Sequence, residues 1–529
     1  MVQIKSDISF DCLKIKVNNF LEYDGFIRME TEIIPSKKIT LKKLSLEIPI
    51  RENQATLLHT LTDSSRRRFA GLTPAGEGVV WDSTKIKNTK AMIGSFIPMV
   101  WLGNEDRGIA WIADSDRDWM LGDGQPAIEI VRKESQVILK VNFINQIVCI
   151  ENNIKLIFGL QATPVKPLPE GWRSWVFHPH TLRPYEEGIR QFALTLGGGD
   201  IFQAFNMSNA FAPYSLKWEK VKNYITYANR DKYKNQYISY TALLYSGMGL
   251  PETQSYLGEW AGTTPSITFW GGSKKLQPSE KKQHMAASIN ACVPSYIDYR
   301  VWALDYMLGQ VGHYGFYEDC TQAYPFLDVA QDIGYKRTDG QYQYQYGLFA
   351  QREMYKRMAA VYDKHDMENL IGVHKTGNMM PPVFSFATFA IDGEDRFVYG
   401  KDLDYIDQWK PDFIRAHVMG RQFGIVPVFL AEILAPEDND LKLYRGLLAV
   451  TLHHEIIIWP GVVPDRSLYY KLYQLIHEFG LGEKDVHFYP YWASDTHQAV
   501  STGESEILVS LWDRPEQALV VVSNLNFPI

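Results

Sequence analysis

Two adjacent carboxylates, Glu318 and Asp319, follow a short run of aromatic and apolar residues, Tyr314 to Tyr317. The run is typical of a buried β-strand, and helical periodicity flanks it over residues 294–309 and 346–365. A strand between two helices that ends in acids is typical of a (β/α) barrel, where the strand ends carry the chemistry. Carboxylates in such a position can donate a proton, accept one or attack an electrophilic carbon.

The elements that must position these acids form a repeating strand–helix pattern. Helical stretches, among them Tyr185–Leu196, lie between most of the predicted strands. Eight strands in about 290 residues have the number and size of a (β/α)8 barrel. The predicted strands are Ser174–His178, Ile201–Asn206, Tyr237–Tyr245, Tyr314–Glu318, Leu370–His374, Ala387–Ile391, Gly424–Leu430 and Glu455–Trp459.

The side chains at these strand ends are expected to share one rim. Acids on the fourth and sixth strands would face each other across the barrel mouth, which is the arrangement that glycoside hydrolysis requires. The connection over residues 246–290 is long and rich in Gly, Ser and Thr, and we expect it to form a substrate-facing wall with Trp260 and Trp270. The expected rim residues are His178, Asn206, Tyr245, Tyr317, Glu318, Asp319, His374, Lys375, Asp392, Glu394, Glu432 and Trp459.

The segments on either side of the barrel read as β-structure. Residues 1–165 alternate apolar and polar residues, which predicts an N-terminal β-sandwich that ends in a proline-rich connector. Residues 166–480 would form the catalytic barrel. Residues 481–529 would begin a C-terminal β-domain, with too few strands for a sheet that is stable alone. The predicted fold class is therefore multi-domain, with a central (β/α)8 TIM barrel between two β-domains.

Composition argues against several other classes of protein. A net charge of −7 argues against a nucleic-acid partner, and no apolar stretch approaches the ~20 residues of a membrane helix. The four cysteines form no CxxC pair, and His178 has no partner set with metal-ligand spacing, so we expect neither a cofactor nor a metal. The N-terminus as given has no apolar signal segment, which leaves localisation open, and the sequence says nothing about oligomeric state.

Three motifs resemble the glycoside hydrolase family 123-like proteins: residues 101–119 (WLGN…RGIAW…SDRDW), residues 158–167 (FGLQATPVKP) and residues 315–319 (GFYED). The resemblance implies an N-terminal β-sandwich joined to a catalytic (β/α)8 barrel and a C-terminal β-domain. It also implies substrate-assisted cleavage of N-acetylgalactosaminides, in which an adjacent Asp-Glu pair ends the fourth strand.

This chain departs from the family pattern at the second acid. Asp319 corresponds to the family's Asp, but Cys320 stands where the family has Glu, and a thiol cannot protonate a glycosidic oxygen. The same strand end also resembles the α-galactosidase clan, in which the fourth strand carries a nucleophile and the sixth an acid/base. That resemblance implies Asp319 as the nucleophile and Glu394 or Asp392 as the acid/base.

We therefore predict a glycoside hydrolase that acts on an oligosaccharide, polysaccharide or glycoconjugate, with retention of configuration. Three alternatives stay open. One is a substrate-assisted β-N-acetylhexosaminidase that uses Glu318 and Asp319. Another is a barrel that binds carbohydrate without cleaving it, and the third is a barrel transglycosylase or isomerase.

Overall fold

The structure is a computed structural model. It describes residues 1–62, 68–86, 95–179, 189–194, 222–223, 226, 235–248, 250–262, 266–269, 285–312, 314–375, 377–394, 405–433, 441–463, 465–500, 502–504 and 506–525.

The described residues from 2 to 163 form β-strands. They are β1 (Val2–Phe10), β2 (Leu13–Leu21), β3 (Phe26–Pro35), β4 (Ile39–Leu41), β5 (Leu44–Arg51), β6 (Leu57–Leu61), β7 (Ala70–Leu72), β8 (Gly78–Asp82), β9 (Met99–Gly103), β10 (Gly108–Ile112), β11 (Met120–Leu121), β12 (Ile128–Lys133), β13 (Gln136–Asn145), β14 (Val148–Ile150) and β15 (Ile154–Thr163).

Two large sheets carry most of these strands. One has the order β1-β2-β3-β15-β10-β9-β6-β7, and the other has the order β11-β13-β12-β8 with β5 paired to β13. Trp101 and Trp111 of the first sheet share one buried core with Ile130 and Leu139 of the second. Alternate residues of each sheet therefore face a common interior, which is how two antiparallel sheets bury their apolar faces.

Eight parallel strands form a nearly closed barrel after this region. In order around the barrel they are β16 (Val176–Pro179), β17 (Gln191–Leu194), β18 (Asn235–Ala242), β22 (Gly315–Asp319), β27 (Ile371–His374), β28 (Phe389–Asp392), β29 (Val426–Glu432) and β30 (Ile457–Val462). Each pairs in parallel with the next, and β30 lies beside β16. Because the strands are parallel, their carboxyl ends meet at one rim.

Side chains of alternate residues fill the barrel interior. Phe177, Phe192, Tyr317, Phe389 and Trp459 belong to one buried cluster that draws on strands all around the barrel. The period of two along each strand then decides which neighbouring residues point into the barrel and which point away from it.

Helices occupy most of the described connections. They are α1 (Pro251–Trp260), α2 (Pro294–Tyr306), α3 (Leu348–Lys364), α4 (Tyr405–Gln408), α5 (Pro411–His417), α6 (Leu441–Thr451), α7 (Ser467–Phe479) and α8 (Ser494–Ala499). A π-helical turn, Met307–Val311, extends α2. Among the described residues, no helix has the length and apolarity needed to cross a membrane.

Short strands complete the connections and the C-terminal region. The connections contain β19 (Tyr245–Gly247), β20 (Ile267–Phe269), β21 (Met285–Ser288), β23 (Pro325–Phe326), β24 (Tyr335–Lys336), β25 (Tyr342–Gln343) and β26 (Gln345–Tyr346). The C-terminal region forms an antiparallel sheet of β31 (His487–Tyr489), β32 (Ile507–Arg514) and β33 (Gln517–Asn524). The domain limits at residues 165 and 480 stay predictions.

The N-terminal sheets contact helix α3, which follows the barrel strand β22 in the chain. Asp114 accepts hydrogen bonds from the backbone N–H groups of Leu348 and Phe349 at the start of α3, at 2.8 and 3.3 Å. A carboxylate in this position satisfies helix donors that have no partner within the helix. The Trp101 ring of β9 meets the Phe423 ring edge to face at 5.1 Å, so this sheet also contacts the segment that precedes β29.

Two sequence-based assignments were wrong. Residues 185–196 were predicted to be a helix, but β17 lies at Gln191–Leu194. A run of four residues is too short for its period to distinguish a helix turn from a buried strand. The connection over residues 246–290 was predicted to be a loop, but it contains α1, β20 and β21. The predicted strand Ile201–Asn206 lies outside the described residues, as do Asn206 and Trp270.

Candidate functional site

Asp319 ends β22 with its carboxylate inside the barrel mouth. One oxygen, Oδ1, accepts a hydrogen bond from the Cys320 backbone N–H at 2.6 Å and lies 2.9 Å from His374 Nδ1. The other, Oδ2, accepts a hydrogen bond from the Tyr240 hydroxyl at 2.5 Å. Burial by itself raises the pKa of Asp319, but His374, Tyr240 and the Cys320 N–H outweigh burial and hold the pKa below its usual value. Asp319 is thus an ionised carboxylate in a fixed orientation.

The local backbone explains why the strand stops here. Cys320 has φ of 56°, in the left-handed region, so the chain leaves the extended conformation directly after Asp319. This turn directs the Cys320 N–H back onto the carboxylate that precedes it. Burial, followed by the charge of Asp319, raises the pKa of the Cys320 thiol, so the thiol stays protonated and is a weak nucleophile.

His374 lies between two carboxylates at the end of β27. Its Nδ1 faces Asp319, and its Nε2 lies 3.2 Å from Oε2 of Glu394, which follows β28. Burial lowers the pKa of His374, but the hydrogen bond and charge of Asp319, with the charges of Glu394 and Asp392, raise it to about 9. The imidazole is therefore charged at neutral pH and donates from both nitrogens.

Among the described residues, one group has ligand atoms close enough together to hold a metal ion. It consists of Asp319, His374 and Glu394. One ligand atom from each lies within 4.8 Å of the others. However, the two ring nitrogens of His374 face different carboxylates, and one ion can bind only one nitrogen of a given ring. The observed geometry fits an imidazolium that bridges two carboxylates better than it fits a metal centre.

An aromatic layer lies beneath these charged groups. The Tyr317 ring makes edge contacts with Tyr240, His374 and Trp459, with centroid separations of 5.7, 6.0 and 6.0 Å. Tyr317 and Trp459 are fully buried, and Trp459 Nε1 has no hydrogen-bond partner among the described residues. The layer excludes water from below, which strengthens the electrostatic interactions above it.

Glu318 does not join this cluster. Its side chain is fully buried on the opposite side of β22, where it pairs with Arg300 of α2. Adjacent residues of a strand face opposite sides of the sheet, so Asp319 inside the barrel requires Glu318 outside. The two neighbouring acids are therefore separated by the strand that carries them.

This separation predicts different effects for the two acids. We expect Glu318→Gln to lower the free energy of unfolding by about 3–5 kcal/mol, because it leaves the buried Arg300 guanidinium without its charge partner. The turnover number of the folded fraction should stay within about tenfold of wild type, since the typical loss for a catalytic acid or base is ~10²-fold or more. Denaturant unfolding measures the free energy of unfolding, and steady-state kinetics per mole of folded protein measure the turnover number. Unchanged stability with a large loss of turnover would contradict this assignment.

Asp392 and Lys375 pair with each other on the outer side of the barrel strands. Their charged atoms lie 3.1 Å apart, and Asp392 Oδ2 also lies 3.2 Å from Nε2 of His417 in α5. Burial raises the pKa of Asp392, but the charge of Lys375 and the His417 contact hold it well below its usual value. His417 in turn meets His59 of β6 at 3.1 Å. This network joins the barrel to the N-terminal sheets, away from Asp319.

The remaining predicted residues divide between the mouth and the core. Tyr245 is half-buried, and burial followed by the charges of Cys320, Tyr324 and Asp319 raises its pKa, so it borders the cluster. Glu432 ends β29, where its backbone N–H and carbonyl bond to the Tyr405 hydroxyl at 3.0 Å each. His178 is buried and lies 2.8 Å from Gln191 Oε1 through Nε2.

Trp260 lies in the core and does not line an open wall. It is 2% exposed at the end of α1, stacked on Tyr256 with Tyr299 and Tyr296 also in ring contact. Its Nε1 donates to the Ser295 hydroxyl at 3.1 Å. Neighbouring side chains therefore cover the indole, which leaves no face for a sugar ring.

Tyr240 is the site residue that sequence reasoning missed. The predicted third strand ran to Tyr245, so that residue was taken as the strand end, whereas β18 stops at Ala242. Tyr240 pairs with Tyr317 in the register of β18 and β22, one layer below Asp319. A two-residue period counted back from Ala242 would have found it.

The charge on His374 predicts a pH-dependent stability. Because the folded state raises its pKa from 6.5 to about 9, the folded state binds the extra proton between those values. The stabilisation is fully present below pH 6.5 and is lost as the pH rises through about 9. At ~1.4 kcal/mol per pKa unit, its upper limit is about 3.5 kcal/mol. Urea unfolding of wild type and His374→Gln should show a stability difference that shrinks across this window. A difference that is constant or grows with pH would contradict the assigned charge.

Comparison with known proteins gives one family match. Residues 1–113 match the family model described as glycoside hydrolase 123, third domain. The resemblance predicted from the sequence is confirmed for this part of the chain, and it supports the predicted enzyme class, a glycoside hydrolase. No curated protein matches the chain.

Several solved structures of glycosidases are similar at low identity. The family 36 α-galactosidase AgaA of Geobacillus stearothermophilus has a TM-score of 0.48 and 9% identity, covering 98% of this chain and 74% of its own. An α-galactosidase of Lactobacillus brevis has a TM-score of 0.46 at 9% identity, covering 99% and 75%. The α-N-acetylgalactosaminidase NagBb of Bifidobacterium bifidum has 0.42 at 9% identity, covering 98% and 91%. With TM-scores below 0.5, these structures establish neither the fold nor the function of this chain.

Proposed function

We propose that this chain is a retaining glycoside hydrolase whose catalytic domain is a (β/α)8 barrel, with Asp319 as the nucleophile and Glu394 as the acid/base. The observation that carries the proposal is the line of three charged groups at the barrel mouth, Asp319, His374 and Glu394. Two carboxylates that flank a scissile bond are the usual machinery of glycoside hydrolysis. The family match over residues 1–113 supports the same class.

Asp319 has the properties of a nucleophile. Its pKa is held below the usual value by donors that leave the carboxylate ionised, and these donors fix its orientation. In the first step, an Asp319 oxygen attacks the anomeric carbon as the bond from that carbon to the leaving oxygen breaks. In the transition state, the positive charge that develops on the sugar lies beside the Asp319 carboxylate. The product of this step is a glycosyl ester on Asp319.

Glu394 has the position of an acid/base. Its side chain is 55% exposed, so it lies on the solvent side of the mouth, where the leaving group departs and water enters. Glu394 is a carboxylate beside the His374 imidazolium, so it would take up a proton when substrate binds and donate that proton to the leaving oxygen in the first step. In the second step it would take a proton from water as that water attacks the anomeric carbon and releases Asp319.

The separation of the two acids favours retention over inversion. Retaining enzymes have carboxyl groups about 5–5.5 Å apart, whereas inverting enzymes need about 6.5–9.5 Å to admit a water. The nearest ligand oxygens of Asp319 and Glu394 lie within 4.8 Å. This close approach of the nearest oxygens supports the retaining arrangement.

The substrate is a carbohydrate in this proposal. Tyr245 borders the acids and is half-buried, so its ring presents aromatic surface that suits the apolar face of a sugar ring. The substrate-assisted alternative needs Glu318 beside Asp319 in one cavity, and the pairing of Glu318 with Arg300 on the other side of β22 argues against it.

A panel of aryl glycosides that varies the sugar and the anomer tests the proposal. We expect one or more members to release the phenol, and proton NMR of the first sugar formed should show the anomer of the substrate. Asp319→Asn serves as the inactive control on the same panel. The opposite anomer would overturn retention, and no release from any sugar in the panel would favour a binding protein that does not cleave.

A further inference from the structure

The first strand, β1, exposes an apolar face that is unusual for a protein surface. Val2, Ile4, Ile8 and Phe10 are 52–59% exposed, and they alternate with polar residues along the strand. In a regular strand these four side chains lie on one face of the sheet. Scattered apolar residues on a surface are ordinary, but a stripe of four on one strand indicates a site of association.

β1 is also the edge of its sheet. It has nine residues and pairs with β2 without a register shift from Val2–Leu21 to Phe10–Leu13. Among the described residues, β2 is the one strand that pairs with it. A long regular edge presents backbone N–H and C=O groups to any strand that can match them, and proteins commonly block such edges with bulges, proline or short length.

We propose that β1 pairs antiparallel with β1 of a second copy of this chain, about a two-fold axis at Ser6, to form a homodimer with a continuous sheet. Such an interface joins the same surface of both copies. Residue numbers of paired residues then sum to twelve. All nine residues of β1 find partners, with Val2 opposite Phe10 and Ile4 opposite Ile8, so apolar side chains meet apolar side chains.

Backbone geometry restricts the possible axes. The two-residue turn after Phe10 makes Phe10 and Leu13 a hydrogen-bonded pair, so even-numbered residues bond to β2 and odd-numbered residues face outward. An edge-to-edge pair must therefore match odd residues with odd residues. Axes at Lys5, Ser6 and Asp7 meet this condition and keep most of the strand paired.

Charge selects one axis among these three. An axis at Lys5 sets that lysine against its own copy, and an axis at Asp7 sets two aspartates against each other. An axis at Ser6 instead sets Lys5 opposite Asp7 of the second copy, and it does so twice by symmetry. Opposite charges in directly opposed positions stabilise a strand pair, whereas like charges destabilise it. Asp7 already lies 2.5 Å from Lys14 of its own chain, so the added lysine would complete a three-member charge cluster.

A charge exchange tests the register. In analytical ultracentrifugation at micromolar concentration, we expect the untagged wild-type protein to have twice the 60.8 kDa mass of one chain. Lys5→Glu should sediment as a monomer, because the introduced carboxylate would oppose Asp7 of the second copy. Lys5→Glu combined with Asp7→Lys should restore the dimer, since the exchanged pair is again opposite in charge. Thermal unfolding of each variant verifies that the sheet is intact.

A cysteine at the axis provides an independent test. The two copies of residue 6 would form a non-hydrogen-bonded pair with Cα atoms ~4.5 Å apart, which a disulfide can span. In a Cys12→Ser/Cys149→Ser background, Ser6→Cys should form a covalent dimer on mild oxidation, and Gln3→Cys, whose symmetry mate lies far along the strand, should not. A monomeric wild type, a dimer unaffected by Lys5→Glu, or equal cross-linking at both positions would overturn the proposal.

Discussion

Asp319→Asn is expected to lower the turnover number by at least ~10²-fold while the protein stays folded. The amide has almost the same shape as the carboxylate, but it is neutral and a poor nucleophile toward the anomeric carbon. It also removes the charge that His374 faces at 2.9 Å. Steady-state kinetics on the best aryl glycoside, with circular dichroism to verify folding, measures the effect.

A matched control, Asp332→Asn, removes a negative charge from the same connection but away from the barrel mouth. Asp332 follows β22 in sequence, is exposed, and has φ of 54°, a conformation that asparagine tolerates well. Asp332→Asn should therefore keep wild-type turnover. If Asp319→Asn also kept activity within about tenfold of wild type, Asp319 would be a structural residue and the proposed mechanism would fail.

Glu394→Gln is expected to lower activity in a way that depends on the leaving group. Substrates with a poor leaving group need a proton from the acid, so their turnover should fall by about 10²–10⁴-fold. An activated phenol leaves without that proton, so the rate of the first step with such substrates should be nearly unchanged. The glycosyl-enzyme should then accumulate, because no base activates water in the second step.

Added azide and a variant of the second candidate acid, Asp392, make this test more specific. Azide needs no general base, so it should restore turnover of Glu394→Gln and yield a glycosyl azide with the substrate's anomeric configuration. Asp392→Asn should instead destabilise the protein, because Asp392 pairs with the buried Lys375, and its folded fraction should respond to leaving groups as wild type does. Azide rescue of Asp392→Asn, with none for Glu394→Gln, would exchange the roles of the two acids.

The sequence predicted the features that depend on local periodicity. A strand was predicted over Tyr314–Glu318, and β22 lies at Gly315–Asp319, one residue later at each end. Glu318 was expected on the same rim as Asp319, but the strand period of two places it on the other side of β22. The sequence did not predict that His374 bridges Asp319 and Glu394, because that contact depends on the stagger between β22, β27 and β28. Register between strands is set by packing over the whole barrel, which no local pattern encodes.

The errors have physical causes of the same kind. The run Gln191–Leu194 has too few residues to reveal its period, so this strand was wrongly predicted to be part of a helix. Trp260 was expected at a sugar-facing wall because its segment is rich in small polar residues. Instead, the end of α1 turns the indole onto Tyr296 and Tyr299, which a composition argument cannot anticipate.

Mass spectrometry of a trapped intermediate tests the central claim most directly. Glu394→Gln is incubated with the activated aryl glycoside of whichever sugar the panel identifies, quenched in acid and digested. We predict one glycosyl residue on the peptide that contains Asp319, and its absence from the corresponding peptide of the Glu394→Gln/Asp319→Asn double variant. Retained stereochemistry with no adduct on Asp319, or with an adduct on another carboxylate, would contradict the account.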